Sequence, residues 1–165
     1  RPMSFTPSKS LKAEVKELLT HYPKDQKRSA SLMVLHAIQE EYGYVERETV
    51  AWAANELGLQ PINLYELVTF YPMLRGESPG KYVIKVCRTL SCAMAGGTDL
   101  HENLCKKLKL DPGKHGLQTT RDGRFSLEFA ECLAGCGTGP VMMCNDDFYE
   151  NVSTEKAGEI MEGCA

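Results

Sequence analysis

The spacing of four cysteines narrows what this chain can become more than any other feature. Cys87 and Cys92 form a C-x4-C pair, and Cys132 and Cys136 form a C-x3-C pair after a long gap. Two close pairs of thiols on two loops make one four-thiolate site when a fold brings the loops together. Thiolates are soft donors, and four of them select an iron–sulfur cluster or zinc.

The other cysteines do not alter this reading. There are seven in all, an odd number, and no secretory signal opens the chain. That points away from a disulfide framework and towards a metal site in a reducing compartment. Cys105, Cys144 and Cys164 each stand alone, as small buried apolar residues or free thiols do. Zinc knuckles usually hold their paired cysteines closer, so gaps of four and three residues favour iron, with zinc as the alternative. A thioredoxin-type redox pair needs C-x-x-C, which is absent. Gly135-Cys136-Gly137-Thr138-Gly139 has the look of a phosphate nest but lacks the lysine and the dinucleotide fingerprint. Gly96 and Gly97 trail the first pair, and Gly135, Gly137 and Gly139 surround the second. Glycine lets backbone N–H donors approach a cluster sulfide without a Cβ in the way. Cys87, Cys92, Cys132 and Cys136 are therefore the expected metal and cofactor ligands.

Charge and length exclude several classes. At 165 residues, 42% apolar and 25% charged, the chain suits one ordinary globular domain or a small domain with a helical extension. A net charge of −3 gives no basic footprint for nucleic acid. No apolar run reaches the length of a membrane helix. The first residue is Arg1, so the start is processed, trimmed or otherwise not the native one.

The hydrophobic period divides the chain. Residues 1–8 read as a loose arm. Leu11, Val15, Leu18 and Leu19 mark one helix face, capped by Ser8 or Ser10 and ended at Tyr22-Pro23. Residues 24–28 read as a charged loop. A second helix over 29–42 presents Leu32, Leu35, Ile38 and Tyr42, broadened by Met33 and Val34, and stops at Gly43. His36, inside it, reads as a packed histidine. A third helix over 48–57 carries Val50, Ala53, Ala54 and Leu57, with Trp52 in packing and Gly58 as its stop. A fourth starts at Pro61 with Ile62, Leu64, Tyr65, Val68 and Phe70.

Residues 72–80 are rich in proline and glycine and mark a boundary. Beyond it the period alternates. Residues 81–86 read as a strand, with Cys87 the first residue past it. A helix follows with Leu100, Leu104 and Leu108 inward, capped by Thr98 or Asp99. Residues 117–120 and 125–130 read as a hairpin around Asp122-Gly123, with Phe125, Leu127 and Phe129 buried and Ser126 and Glu128 wet. Residues 140–144 and Phe148-Tyr149 read as short strands. A last helix, capped by Ser153, turns Ala157, Ile160 and Met161 inward. His101 and His115 have no partner at ligand spacing, and no nucleotide-binding motif is present. The expected fold is α+β: a helical N-terminal domain over 9–75, then an α/β domain with a mixed sheet over 80–165.

The residues also resemble a known family. Leu64-Tyr65-Glu66-Leu67-Val68-Thr69-Phe70-Tyr71, Gly80-Lys81-Tyr82-Val83-Ile84-Lys85-Val86-Cys87, Glu131-Cys132-Leu133-Ala134-Gly135-Cys136 and Asn145-Asp146-Asp147-Phe148-Tyr149-Glu150 together are similar to the thioredoxin-like [2Fe–2S] ferredoxin family. The likeness is to its NuoE-type members, subunits of NADH:quinone oxidoreductase (respiratory complex I), over nearly the whole chain. The resemblance implies a thioredoxin-like second domain, one [2Fe–2S] cluster on the four cysteines, and a partner flavoprotein subunit that binds FMN and NADH. It implies an electron-transfer subunit that does not turn over alone. The family commonly has Leu-Gly-Ala where this chain has Leu133-Ala134-Gly135, and Ala before the proline where this chain has Gly139. The same subunit type serves NAD-linked hydrogenases, including bifurcating ones, and formate dehydrogenases. The tail lacks the extension of mitochondrial members, which points to a bacterial cytoplasmic protein on the peripheral arm of a membrane complex.

Two rivals stand beside this. A zinc-stapled interaction module would be colourless. A free-standing ferredoxin would have no tight partner, and the mild charge suits a steered shuttle less than a fixed subunit.

Overall fold

The structure, a computed structural model, describes residues 5–164. The chain divides into two units, Arg1–Ser78 and Pro79–Ala165.

The first unit is built from amphipathic helices. Helix α1 (Lys9–Leu18) begins where the Ser8 hydroxyl accepts the Leu11 N–H at 2.9 Å, and a 3-10 turn (Leu19–His21) ends it. Leu11 and Val15 are its buried stripe. A second 3-10 turn (Lys27–Ala30) takes in the end of the expected charged loop and leads into α2 (Ser31–Tyr42). Helices α3 (Arg47–Leu57) and α4 (Pro61–Phe70) complete the unit. Gly43 and Gly58 adopt φ of 84° and 69°, the left-handed stop that a Cβ resists. Leu35, Ile38 and Leu64 are fully buried. Each contributes roughly 1.5–3 kcal/mol over an exposed position.

Several side chains depart from the expected faces. Met33, Ile62 and Phe70 point outward, Phe70 with 76% exposure, and Ala37 is buried instead. Periodicity defines a stripe, but the neighbouring helices decide its width. The expected loose arm is partly ordered: Phe5 packs on Tyr42 and Trp52, with ring centroids 5.3 and 5.9 Å away, and residues 1–4 lie outside the described residues. Part of the expected linker also belongs to this unit. Leu74 is buried, the Gln39 amide donates to the Met73 carbonyl, and the Val45 N–H donates to the Arg75 carbonyl.

The second unit is a five-stranded sheet in the order β2-β3-β1-β4-β5. Its elements are β1 (Tyr82–Cys87), α5 (Leu90–Met94), α6 (Gly97–Leu108), β2 (Gln118–Thr119), β3 (Phe125–Ala130), β4 (Met142–Cys144), β5 (Asp147–Tyr149) and α7 (Thr154–Gly163). Strands β1 and β3 are parallel and every other pairing is antiparallel, so the sheet is mixed. Ile84, Val86, Leu127 and Met142 pack with Leu100 and Leu104 of α6 and Ala157 and Met161 of α7. Alternation sends Lys85 and Glu128 to the other face, where they pair at 3.6 Å.

Three local expectations are corrected here. Cys87 is the last residue of β1, not the first beyond it. Helix α6 starts from Gly96 at φ 99°, with no side-chain cap from Thr98 or Asp99. Ser126 is buried, not wet: its hydroxyl accepts the Gly80 N–H at 2.7 Å and lies 2.7 Å from Thr119 Oγ1. A buried hydroxyl with two partners is well satisfied.

Candidate metal centre

Parallel pairing brings the two cysteine loops together. Strands β1 and β3 run side by side and end in register, with Cys87 opposite Ala130. The chain leaves β1 into Arg88–Cys92 and leaves β3 into Glu131–Cys136, so both loops emerge at the same end of the sheet, beyond the C-terminal ends of these two strands. The Arg88 N–H donates to the Ala130 carbonyl at 3.0 Å. Cys87 Sγ lies 3.9 Å from the Glu131 carbonyl oxygen. The side chains of Arg88 and Glu131 form an ion pair across the loops, and the Arg88 guanidinium sits over the Phe129 ring.

The two pairs differ in setting. Cys87 and Cys92 are 3% and 1% exposed and pack with Val141. Cys92 sits in the short helix α5, which the sequence pattern does not reveal. Burial raises the Cys92 thiol above its ordinary range, a backbone hydrogen bond at Val141 opposes this, and neighbouring Cys87 and Cys136 raise it further. Cys132 and Cys136 are exposed. The Ala134 N–H donates to Cys132 Sγ at 3.4 Å, and Cys136 opens a 3-10 turn (Cys136–Thr138). Among the described residues, no three His, Cys, Asp or Glu side chains stand close enough to hold one ion. Cys87 and Cys136 both act electrostatically on Cys92, while Cys132 and Cys136, on the second loop, are turned to solvent.

Glycines bring the backbone in close. A Cβ at Gly97 would lie 2.8 Å from the carbonyl oxygens of both Cys87 and Cys92. A Cβ at Gly139 would lie 3.4 Å from Cys92 Sγ, which sets the second loop against the first. The Gly139–Pro140 peptide is cis. A Cβ at Gly135 would meet Val141 Cγ1 at 2.6 Å, while Ala134 carries the left-handed φ of 58°. These features fit a cluster. Four soft thiols on two adjoining loops, with backbone pressed near the sulfurs, match the thiolate ligation and N–H···S donation such groups use. Arg88 and Glu131, which strap the loops together, were not singled out from the sequence. The signal available was their opposite charge at matched flanking positions, directly after Cys87 and directly before Cys132.

His115 is exposed, and His36 is half-buried. His101 is buried, stacks on Phe129 at 3.7 Å, and lies 3.7 Å from Cys105 through Nδ1, so it has a partner that spacing alone did not reveal.

Comparison with known proteins identifies the family. The profile of the thioredoxin-like [2Fe–2S] ferredoxins matches residues 15–165. The E-type subunit of NADH-quinone oxidoreductase from Rickettsia conorii is 36% identical over 160 residues, covering 96% of this chain and 93% of the relative. Its counterpart in Mycobacterium tuberculosis H37Rv is 34% identical over 98% of this chain, which spans 62% of that relative's length. NADH-quinone oxidoreductase subunit 2 of Thermus thermophilus is 34% identical over 82% of this chain and 72% of its own. The crystal structure of an air-oxidised NAD+-reducing [NiFe]-hydrogenase superposes with a TM-score of 0.69 at 19% identity, over 87% of this chain and 24% of that one, a likeness of fold. No helix among the described residues is long and apolar enough to cross a membrane. With four thiols on adjoining loops and these matches over nearly its full length, the chain belongs to the thioredoxin-like [2Fe–2S] ferredoxin family, among the E-type subunits of NADH-quinone oxidoreductase.

Proposed function

We propose that this chain is an electron-transfer subunit that holds one [2Fe–2S] cluster beside an FMN- and NADH-binding flavoprotein subunit. Its ligands are Cys87, Cys92, Cys132 and Cys136. The parent assembly is an NADH-oxidising complex, with this chain in a peripheral arm on the cytoplasmic side. The observation that carries the reading is the parallel β1–β3 pair, which delivers both cysteine loops to the same end of the sheet.

When bound, the cluster takes and returns one electron at a time. The chain's own residues do the rest. Cys87 and Cys92 offer a buried pair of donors at a strand end and in α5. Each thiol gives up its proton on ligation, so binding strengthens as pH rises. Cys132 and Cys136 close the site from the second loop. The Ala134 N–H, already directed at Cys132 Sγ, donates to thiolate sulfur and so favours the reduced state. The Arg88–Glu131 pair holds the loops in register. Hydride transfer belongs to the partner, and the chain alone does not turn over.

The same role in an NAD-linked hydrogenase or formate dehydrogenase is the second reading, favoured only by the shared fold. The three relatives described, each at least 34% identical, are quinone oxidoreductase subunits, which supports the first. Affinity purification from the native host separates them: a quinone-reducing assembly supports the first, and co-purifying hydrogenase or formate dehydrogenase overturns it. Docking is assigned to the N-terminal helical domain (9–75) and the segment to residue 80, ahead of the cluster domain (80–165). Deleting residues 1–75 is expected to leave the cluster spectrum and abolish co-purification with the flavoprotein. A truncated chain that still binds its partner would contradict this.

A further inference from the structure

Two cysteines that the sequence leaves solitary meet in the fold. Cys144 ends β4 and Cys164 caps α7, and their sulfurs lie 3.8 Å apart. Both are buried, at 5% and 9% exposure. Neighbours fix each one. Cys144 pairs with Ile84 of β1, and Cys164 donates its N–H to the Met161 carbonyl and receives the Arg124 guanidinium on its own carbonyl oxygen. Both cysteines line a cavity of about 310 Å³, together with Tyr82, Tyr149 and Ile160. None of the four expected ligand thiols lines it.

We propose that Cys144 and Cys164 are a second redox site, a dithiol that a small disulfide such as glutathione disulfide converts to an intramolecular disulfide. A disulfide needs sulfurs about 2.05 Å apart, so they must approach by less than about 2 Å. Cys164 lies at a helix end in extended backbone, where a side-chain rotation supplies this. Cys164, whose thiol donates to the Ile160 carbonyl, attacks one sulfur of glutathione disulfide, forming a mixed disulfide and releasing one glutathione, which takes up the Cys164 proton. Cys144 then attacks the Cys164 sulfur, giving its proton to the second glutathione as that leaves. The two protein thiols lose two electrons and two protons, and one glutathione disulfide becomes two glutathiones. Burial, then the hydrogen bond with Cys164, pushes the Cys144 thiol up to about 12. Cys144, the more buried of the two, acts second, as the resolving thiol. The bond fastens the end of α7 to β4, next to the strand that ends in Cys87.

The test is thiol mapping on the protein purified without oxygen. It is treated with glutathione disulfide, quenched with iodoacetamide and digested with trypsin. Cleavage at Arg124 and Lys156 puts Cys144 in one peptide and Cys164 in the next. The expected result is the two peptides joined, separated again by dithiothreitol. Fragmentation of the joined species should place the bond on Cys144. In Cys144→Val, whose fold is checked by far-UV circular dichroism, the joined species should vanish and glutathione should remain on Cys164. Alkylated, unjoined peptides in the wild type would overturn the proposal. So would a bond that fragmentation places on Cys132 or Cys136, or that persists in Cys144→Val.

Discussion

The two halves of the cysteine site are built differently. Cys87 and Cys92 are buried on regular structure, the end of β1 and the short helix α5. Cys132 and Cys136 are exposed on a loop whose regular structure is one 3-10 turn. The first pair is therefore set by the folding of the sheet. The second is set by its own loop, by Ala134 in a left-handed conformation, and by whatever it ligates. A site of this kind has one preorganised half and one half that closes, and substitutions should read out the difference.

The largest contrast is in ligand exchange. An oxygen ligand binds closer than sulfur, so the residue must move inward, which α5 resists and the second loop allows. Cys92→Ser is expected to lower bound iron by at least about tenfold, and Cys136→Ser by less than about threefold. Iron analysis of the two variants checks this, and equal losses would erase the distinction. Thiol access should follow the same order. In metal-free protein, Cys132 and Cys136 are expected to react with iodoacetamide at least about tenfold faster than Cys87 and Cys92, by the usual effect of exposure. Similar rates would show that the first pair is not sealed.

Next come the glycines. Gly97→Ala places a Cβ against two backbone carbonyls that cannot yield, and is expected to cost about 2–3 kcal/mol in urea unfolding. Gly137→Ala meets nothing within 4 Å and is expected to stay within about 0.5 kcal/mol of wild type. Ala134→Gly relieves the left-handed φ and is expected to stabilise by about 1 kcal/mol, seen as a higher melting temperature. The smallest effect belongs to the exposed strap. Arg88→Ala is expected to cost less than about 1 kcal/mol at low salt and nothing at 1 M salt by urea titration, since exposed ion pairs are screened.

Much of this was legible in the sequence, for reasons that also mark the limit. Leu11 and Val15 gave α1 its face, Gly43 and Gly58 its successors their stops, and the shift to alternation after Gly80 the sheet. These are local signals, and local physics decides them. What escaped notice depends on partners far along the chain. Ser126 looks like a wet strand position until Gly80 and Thr119 supply its hydrogen bonds. Cys144 and Cys164 look solitary until α7 folds back on β4. Ile62 and Phe70 look like core until the packing of α4 leaves them outside. Helix α5 is too short to show a period. For the site, the residue types and spacing were readable, but the unequal burial of the two pairs was not, because it follows from which loop leaves the sheet as a helix.

A [2Fe–2S] cluster held by this chain is the central claim. The direct measurement is iron and zinc analysis with EPR, before and after dithionite, on protein purified without oxygen. The expected result is a red-brown protein with about two irons per chain and a single spin-half signal on reduction, as such a cluster requires. A colourless protein holding zinc and no iron would contradict it.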